Sequence, residues 1–158
     1  MPYLTQWQAS DGSFVVIEPK ALAAMIAFRQ VASDDAEAGG VLLGRRRVPH
    51  LEVARATLPY PTDKRGRFSF VRESIGHQSE AITVWQDSAR EIGYIGEWHT
   101  HPEKLPILSP IDAREWRYLI GVHSNELPLL GIIIGTSSLN VYQIRGGRSP
   151  CQLTPIYG

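Results

Sequence analysis

Apolar and polar positions change period along this chain, and each change marks an element. Phe14-Val15-Val16-Ile17, set between Gly12 and Glu18, is a short β-branched and aromatic run that predicts a first strand. Pro19 then opens a helix through Ala21-Leu22-Ala23-Ala24-Met25-Ile26-Ala27-Phe28, where apolar residues recur at helical spacing behind a proline near the first position. That helix is expected to end in the acidic run Asp34-Asp35-Ala36-Glu37. Val41-Leu42-Leu43 predicts a strand that pairs with Leu51 to Leu58 across a turn at Pro49-His50. Pro59 to Gly66 reads as a polar loop and Phe68 to Val71 as a short strand. A second helix is expected from about Ser74 to Glu91, with Ile82 and Trp85 on one side, followed by a strand from Tyr94 to His99. Ser109-Pro110-Ile111-Asp112 opens a third helix that continues through Trp116, Leu119 and Ile120. Leu129 to Ile134 and Leu139 to Ile144 close the series as strands. The order β-α-β-β-β-α-β-α-β-β predicts a mixed β-sheet flanked by helices, an α+β fold of three layers, α/β/α. With no internal repeat and no linker-like stretch, residues 1–158 are expected to form a single domain.

Composition narrows the classes of function. The 158 residues are 43% hydrophobic and 20% charged with zero formal net charge, so no global field favours nucleic acid or an anionic membrane as partner. Arg45-Arg46-Arg47 and Lys64-Arg65-Gly66-Arg67 read as a solvated hairpin and loop. A lone cysteine excludes an internal disulfide, and Cys151, remote from the histidine pair, reads as a bystander thiol. The chain opens on no basic-plus-apolar leader, and no apolar run reaches the roughly 18 residues of a membrane span. A reducing cytoplasm is the expected compartment.

The chemistry is concentrated in Glu97-Trp98-His99-Thr100-His101 and in Ser109-Pro110-Ile111-Asp112. On a strand, positions i and i+2 share a face, so the two imidazoles can converge on one metal, and the chain can return a carboxylate to the same point. Two histidines and a carboxylate leave zinc's fourth position open, as in catalytic rather than structural sites. Each part also has a plainer use. The histidines could be half-buried strand residues. Ser109, Pro110 and Asp112 form a near capping box that any helix could employ. Glu97 shares a strand face with His99 and is a rival for base or ligand. His50, His77 and His123 read as surface residues.

His99-x-His101, seven residues, then Ser109-x-x-Asp112 resembles the metal signature of the JAMM/MPN-plus metallopeptidases, the zinc isopeptidases of the JAB domain superfamily. Glu37-Ala38-Gly39-Gly40-Val41-Leu42-Leu43-Gly44 resembles that family's upstream glutamate beside a glycine-rich strand start, and Pro102 also fits. The resemblance implies a JAB/MPN fold of cytidine-deaminase-like type. It implies Zn²⁺ held by His99, His101 and Asp112, with Glu37 as general acid and base and Ser109 as donor to the oxyanion. The segment from Pro61 to Val71 is the expected grip for an extended C-terminal tail, added as a strand. The chain is most similar to the JAB peptidases of bacterial anti-phage CBASS operons. Its implied substrate is therefore an amide formed by the C-terminus of a conjugated protein, a cyclic-nucleotide synthase. A ubiquitin-like or sulfur-carrier protein is the alternative substrate, and a non-catalytic MPN scaffold the alternative class.

Overall fold

The computed structural model describes residues 3–122 and 127–157. Its main sheet has nine strands in the order β10-β9-β8-β7-β3-β4-β2-β1-β11. These are β1 (Gln6–Gln8), β2 (Phe14–Ile17), β3 (Gly39–Arg47), β4 (His50–Ala56), β7 (Gly93–Thr100), β8 (Leu129–Ile134), β9 (Leu139–Ile144), β10 (Cys151–Gln152) and β11 (Thr154–Pro155). A separate hairpin pairs β5 (Lys64–Gly66) with β6 (Ser69–Val71). The helices are α1 (Pro19–Ile26), α2 (Ser74–Asp87) and α3 (Pro110–Val122). β2 runs parallel to β4 and β7 parallel to β8, while the other pairings are antiparallel, so the sheet is mixed as expected.

Strand alternation assigns the layers. On β3, Leu42 packs into the core that Ala21, Leu22 and Met25 of α1 cover, together with Trp98, Leu130 and Ile132. Its neighbours Val41 and Leu43 face the other side and meet Val84 of α2. On that second side Trp116 and Ile120 of α3 pack on Leu129, Ile133, Tyr142 and Ile144. Burying one such aliphatic side chain stabilises by about 1.5–3 kcal/mol. One helix on one face and two on the other make the α/β/α arrangement that the periodicity predicts.

Two glycines allow the approaches that place the site. A Cβ on Gly40 would fall 2.2 Å from the Thr57 carbonyl oxygen, so only glycine lets the chain beyond β4 close against β3. A Cβ on Gly131 would lie 2.4 Å from the Trp116 ring, so its absence lets α3 settle directly onto β8.

Several expectations need correction. α1 ends at Ile26 rather than in the acidic run. Beyond it Gln30, only 1% exposed, donates to the Asp35 and Arg67 carbonyls and accepts from the Thr100 hydroxyl. Those tertiary bonds hold residues 27–38 off a helical path. The polar loop expected over Pro59 to Gly66 contains β5, and β1, β10 and β11 were not anticipated, because strands this short carry too few residues for a detectable period. α2 buries His77 and Val84 and partly buries Ala81, whereas Ile82 and Trp85 lie outward, 48% and 41% exposed. His77 is therefore no surface residue. It is fully buried between Thr57 and Asp63, which occupy both ring nitrogens and remove the cost of burying it. His50 is exposed and accepts the Phe14 N–H, while His123 lies outside the described residues.

The basic groups are largely spent within the molecule. Arg45 pairs with Glu52, Glu18 and Glu91, Arg46 donates to the Pro128 carbonyl, and Arg65 and Arg67 donate to main-chain carbonyls. Among the described residues no helix is long and apolar enough to cross a membrane.

Candidate active site

β7 delivers the histidine pair. His99 lies on the strand, and pairing holds to its last residue and one beyond: the Thr100 N–H donates to Ala38 O and the His101 N–H to Ile134 O, each at 2.9 Å. The alternation that puts i and i+2 on one face is thereby kept through His101, and the two Nε2 atoms come within 3.1 Å of each other. The connection to α3 is pinned to the turn between β8 and β9. The Thr136 N–H donates to Glu103 O at 2.8 Å, Ser138 Oγ to Lys104 O at 2.7 Å and Asn140 Nδ2 to Pro106 O at 2.7 Å. These bonds return the chain so that α3 begins beside the histidines.

The start of α3 is a reciprocal cap. The Ser109 N–H donates to Asp112 Oδ2 at 3.0 Å, and the Asp112 N–H donates to Ser109 Oγ at 3.1 Å. Capping and site-building are one arrangement here, because the cap fixes the Asp112 carboxylate. Its Oδ1 lies 3.3 Å from His99 Nε2 and its Oδ2 3.1 Å from His101 Nε2.

Two imidazole nitrogens thus stand 3.1 Å apart, and each lies 3.1–3.3 Å from a different oxygen of the Asp112 carboxylate. A tetrahedral zinc with bonds of about 2.0–2.1 Å would separate its donor atoms by roughly 3.3 Å, so the donor set and its spacing fit a divalent cation. The Glu37 carboxylate lies within 4.8 Å of both imidazoles and so competes geometrically with Asp112 for the third position. Asp112 makes the closer contacts, and either carboxylate is placed to complete a set with the two imidazoles. The far nitrogen of His101, Nδ1, is buried without a hydrogen bond, and Glu103 Oε1 stands 3.2 Å away but out of line for one. Carboxylates commonly occupy that place behind a metal-binding imidazole, where they fix its tautomer.

Electrostatics separate the two carboxylates. Burial pushes the Glu37 carboxyl up to about 7, with the imidazoles opposing and Asp112 and Glu115 adding to the rise. Burial would raise Asp112 too, but hydrogen bonds from His101 and His99 outweigh it and hold that carboxyl far below the usual range. His101 is likewise disfavoured as a cation by burial, yet Asp112, Glu37 and Glu103 raise its pKa above the ordinary value. Carboxylates driven apart in this way are suited to different tasks.

Glu97 is engaged elsewhere. Arg72 grips it through Nε at 2.9 Å and Nη2 at 3.1 Å, and the Tyr94 hydroxyl donates to it at 2.5 Å. The cleft beside the histidines is lined by Glu37, Phe70, Arg72, Glu97, Glu115 and Trp116. Sequence reasoning missed Arg72, Glu103 and Glu115 as neighbours of the site. Only Glu115 left a signal, standing one helical turn after Asp112 on the same face of α3.

Residues 19–146 match the family described as prokaryotic homologs of the JAB domain. A protein of Pseudomonas aeruginosa named CD-NTase/cGAS isopeptidase is 35% identical over 159 residues, covering 99% of each chain. Proteins of the same name from Escherichia coli and Vibrio cholerae are 35% and 37% identical, over 79% and 75% of this chain and 78% and 75% of their own. The solution structure of a protein from Desulfitobacterium hafniense superposes with a TM-score of 0.62 at 20% identity, covering 87% of this chain and 88% of that one, which is a likeness of fold. A mixed sheet between layers of helices, two histidines clustered with Asp112 and Glu37, and a family match over most of the chain lead to one assignment: this protein belongs to the prokaryotic JAB domain family.

Proposed function

We propose that this chain is a zinc-dependent isopeptidase that hydrolyses the amide joining the C-terminus of a conjugated protein to an amine on its target. The observation that carries the reading is the cluster of His99, His101 and Asp112 at 3.1–3.3 Å, with Glu37 buried beside it. His99, His101 and Asp112 are the residues that would hold the ion. When bound, it would supply Lewis acidity toward the scissile carbonyl and make water a competent nucleophile near neutral pH. Glu37 takes a proton from the attacking water on its carboxylate and delivers it to the leaving nitrogen, so the C–N bond breaks to a carboxylate and a free amine. Burial favours the protonated form of this carboxyl, which suits the return of the proton to the leaving nitrogen. Ser109 Oγ accepts the Asp112 N–H, so its own proton is available to the oxygen on which charge develops.

The hairpin supports a grip on an extended tail. One edge of β5 is turned to Glu37, whose N–H donates to Gly66 O. β6 pairs with β5 on one side, and Phe70 and Val71 line the cleft, so its outer edge is the place for an added strand. The names of the relatives support a CD-NTase, a cyclic-nucleotide synthase of CBASS anti-phage systems, as the conjugated protein. We assign the reaction to the cytoplasm, with no part for nucleic acid or membrane.

Purified protein is incubated with a conjugate or C-terminal fusion of a CD-NTase and products are read by intact mass, beside Glu37→Ala and chelator-treated samples. Cleavage directly after the terminal residue, lost in both controls, is the expected result. Cleavage only of a ubiquitin-like or sulfur-carrier fusion keeps the chemistry and replaces the substrate. A metal-loaded protein that cuts none of them overturns the peptidase reading in favour of a scaffold.

A further inference from the structure

The residue read as general base stands in a segment that has no regular structure of its own. Residues 27–38 join α1 to β3, and Glu37 comes two positions before the strand begins. The next residue, Ala38, is tied to Thr100 through both its N–H and its carbonyl, and the N–H and carbonyl of Glu37 itself are held by the hairpin. The Glu37 N–H donates to Gly66 O at 2.7 Å, and Arg65 Nε donates to Glu37 O at 2.9 Å. Arg65 Nη2 reaches Ala36 O at 3.4 Å, and its guanidinium lies 5.8 Å from the centre of the Phe28 ring. Both main-chain polar groups of Glu37 are therefore spent on β5. The contact is reinforced one residue further along: Arg67 Nη1 donates to Ala32 O at 2.6 Å, and Gln30 Nε2 to Arg67 O at 2.8 Å.

From this geometry we infer that Arg65 is a positioning residue, whose guanidinium spans two consecutive carbonyls and holds Glu37 at the reacting centre. The inference rests on the isopeptidase reading for what Glu37 does there, while the positioning itself is independent of substrate. Arginine fits the task because its planar fork addresses two acceptors at once, and an ammonium addresses them only as a point charge. The basic loop read from sequence as solvated thus has an internal use. Proton transfer depends steeply on distance, so release of this main chain would be felt in turnover before it is felt in substrate binding.

The test compares wild-type protein with Arg65→Ala and Arg65→Lys in two measurements. In steady-state cleavage of the conjugate, Arg65→Ala is expected to lower kcat by about tenfold to a hundredfold. KM should stay within about twofold, and Arg65→Lys should recover only part of the loss. In hydrogen–deuterium exchange on the metal-loaded proteins, the Glu37 amide should exchange at least roughly tenfold faster in Arg65→Ala, with the amides of Trp98 to His101 unchanged. A raised KM at unchanged kcat would make Arg65 a substrate contact and overturn the inference. An unchanged Glu37 amide overturns it as well. If wild-type protein cleaves no conjugate, the isopeptidase reading fails by itself, and the exchange measurement still decides whether Arg65 holds Glu37.

Discussion

His77 Nε2 meets Asp63 Oδ2 at 2.7 Å with both side chains fully buried, and the opposite ring nitrogen meets Thr57 Oγ1 at 2.6 Å. Thr57 in turn accepts the Val41 N–H at its hydroxyl and the Trp98 Nε1–H at its carbonyl, so the chain of bonds ends on the strands that flank the site. Asp63 also accepts the N–H groups of Tyr60 and Glu73, closing the base of the β5–β6 hairpin.

Removing the middle of this chain takes one buried partner from the Asp63 carboxylate and one from the Thr57 hydroxyl, each of which keeps its main-chain donors, and empties a packed site. His77→Ala is expected to destabilise the protein by about 3 kcal/mol, and His77→Gln by less because an amide can still reach one neighbour. Urea unfolding should show a lower midpoint at unchanged slope. A midpoint within error of wild type would show that the hairpin holds its place without His77.

Asp63 also gives the fold an acid dependence. Burial opposes its charge, but the Tyr60 N–H, His77 and the Glu73 N–H donate to it and hold the carboxyl below its ordinary value. A depressed carboxyl stabilises the fold above its unfolded pKa of about 3.9, and that contribution is lost as pH falls through the lower folded value. Unfolding free energy measured from pH 6 to pH 2 should fall in that acid window, and the fall should be shallower in Asp63→Asn. A mutant curve parallel to wild type throughout would contradict this account.

Arg72 and Glu97 form a two-point ion pair whose side chains are 20% and 12% exposed. Arg72→Ala takes the counter-ion from Glu97, leaving it the Tyr94 hydroxyl, and should cost about 2–3 kcal/mol. Arg72→Met with Glu97→Gln should recover part of it. A double-mutant cycle is expected to give a coupling of about 1–2 kcal/mol, and a coupling near zero would mean that solvent already compensates the pair.

Metal binding distinguishes the two candidate third ligands. Zinc at about 100 times its dissociation constant should stabilise the wild-type fold by about 2.7 kcal/mol, visible as a rise in Tm. His99→Ala and Asp112→Ala should abolish the rise, and Glu37→Gln should retain it. The opposite pattern, with Glu37→Gln losing the rise and Asp112→Ala keeping it, would exchange the roles of the two carboxylates.

The sequence by itself determined what is local. His99, His101, Ser109 and Asp112 were readable because the alternation of one strand and the cap of one helix set their geometry, and both are properties of neighbouring residues. The order of the long elements followed from apolar period in the same way. Glu37 was reached only through resemblance, since nothing in its own surroundings distinguishes it from an exposed carboxylate beside a helix end. Tertiary structure alone decided that α1 would stop at Ile26, that Arg65 would take the Glu37 carbonyl, that Arg72 would occupy Glu97, and that His77 would be buried against Asp63. The physical reason is common to all four. A polar side chain can be buried, or a segment drawn off its local preference, only where a distant partner satisfies it, and the fold brings that partner within reach.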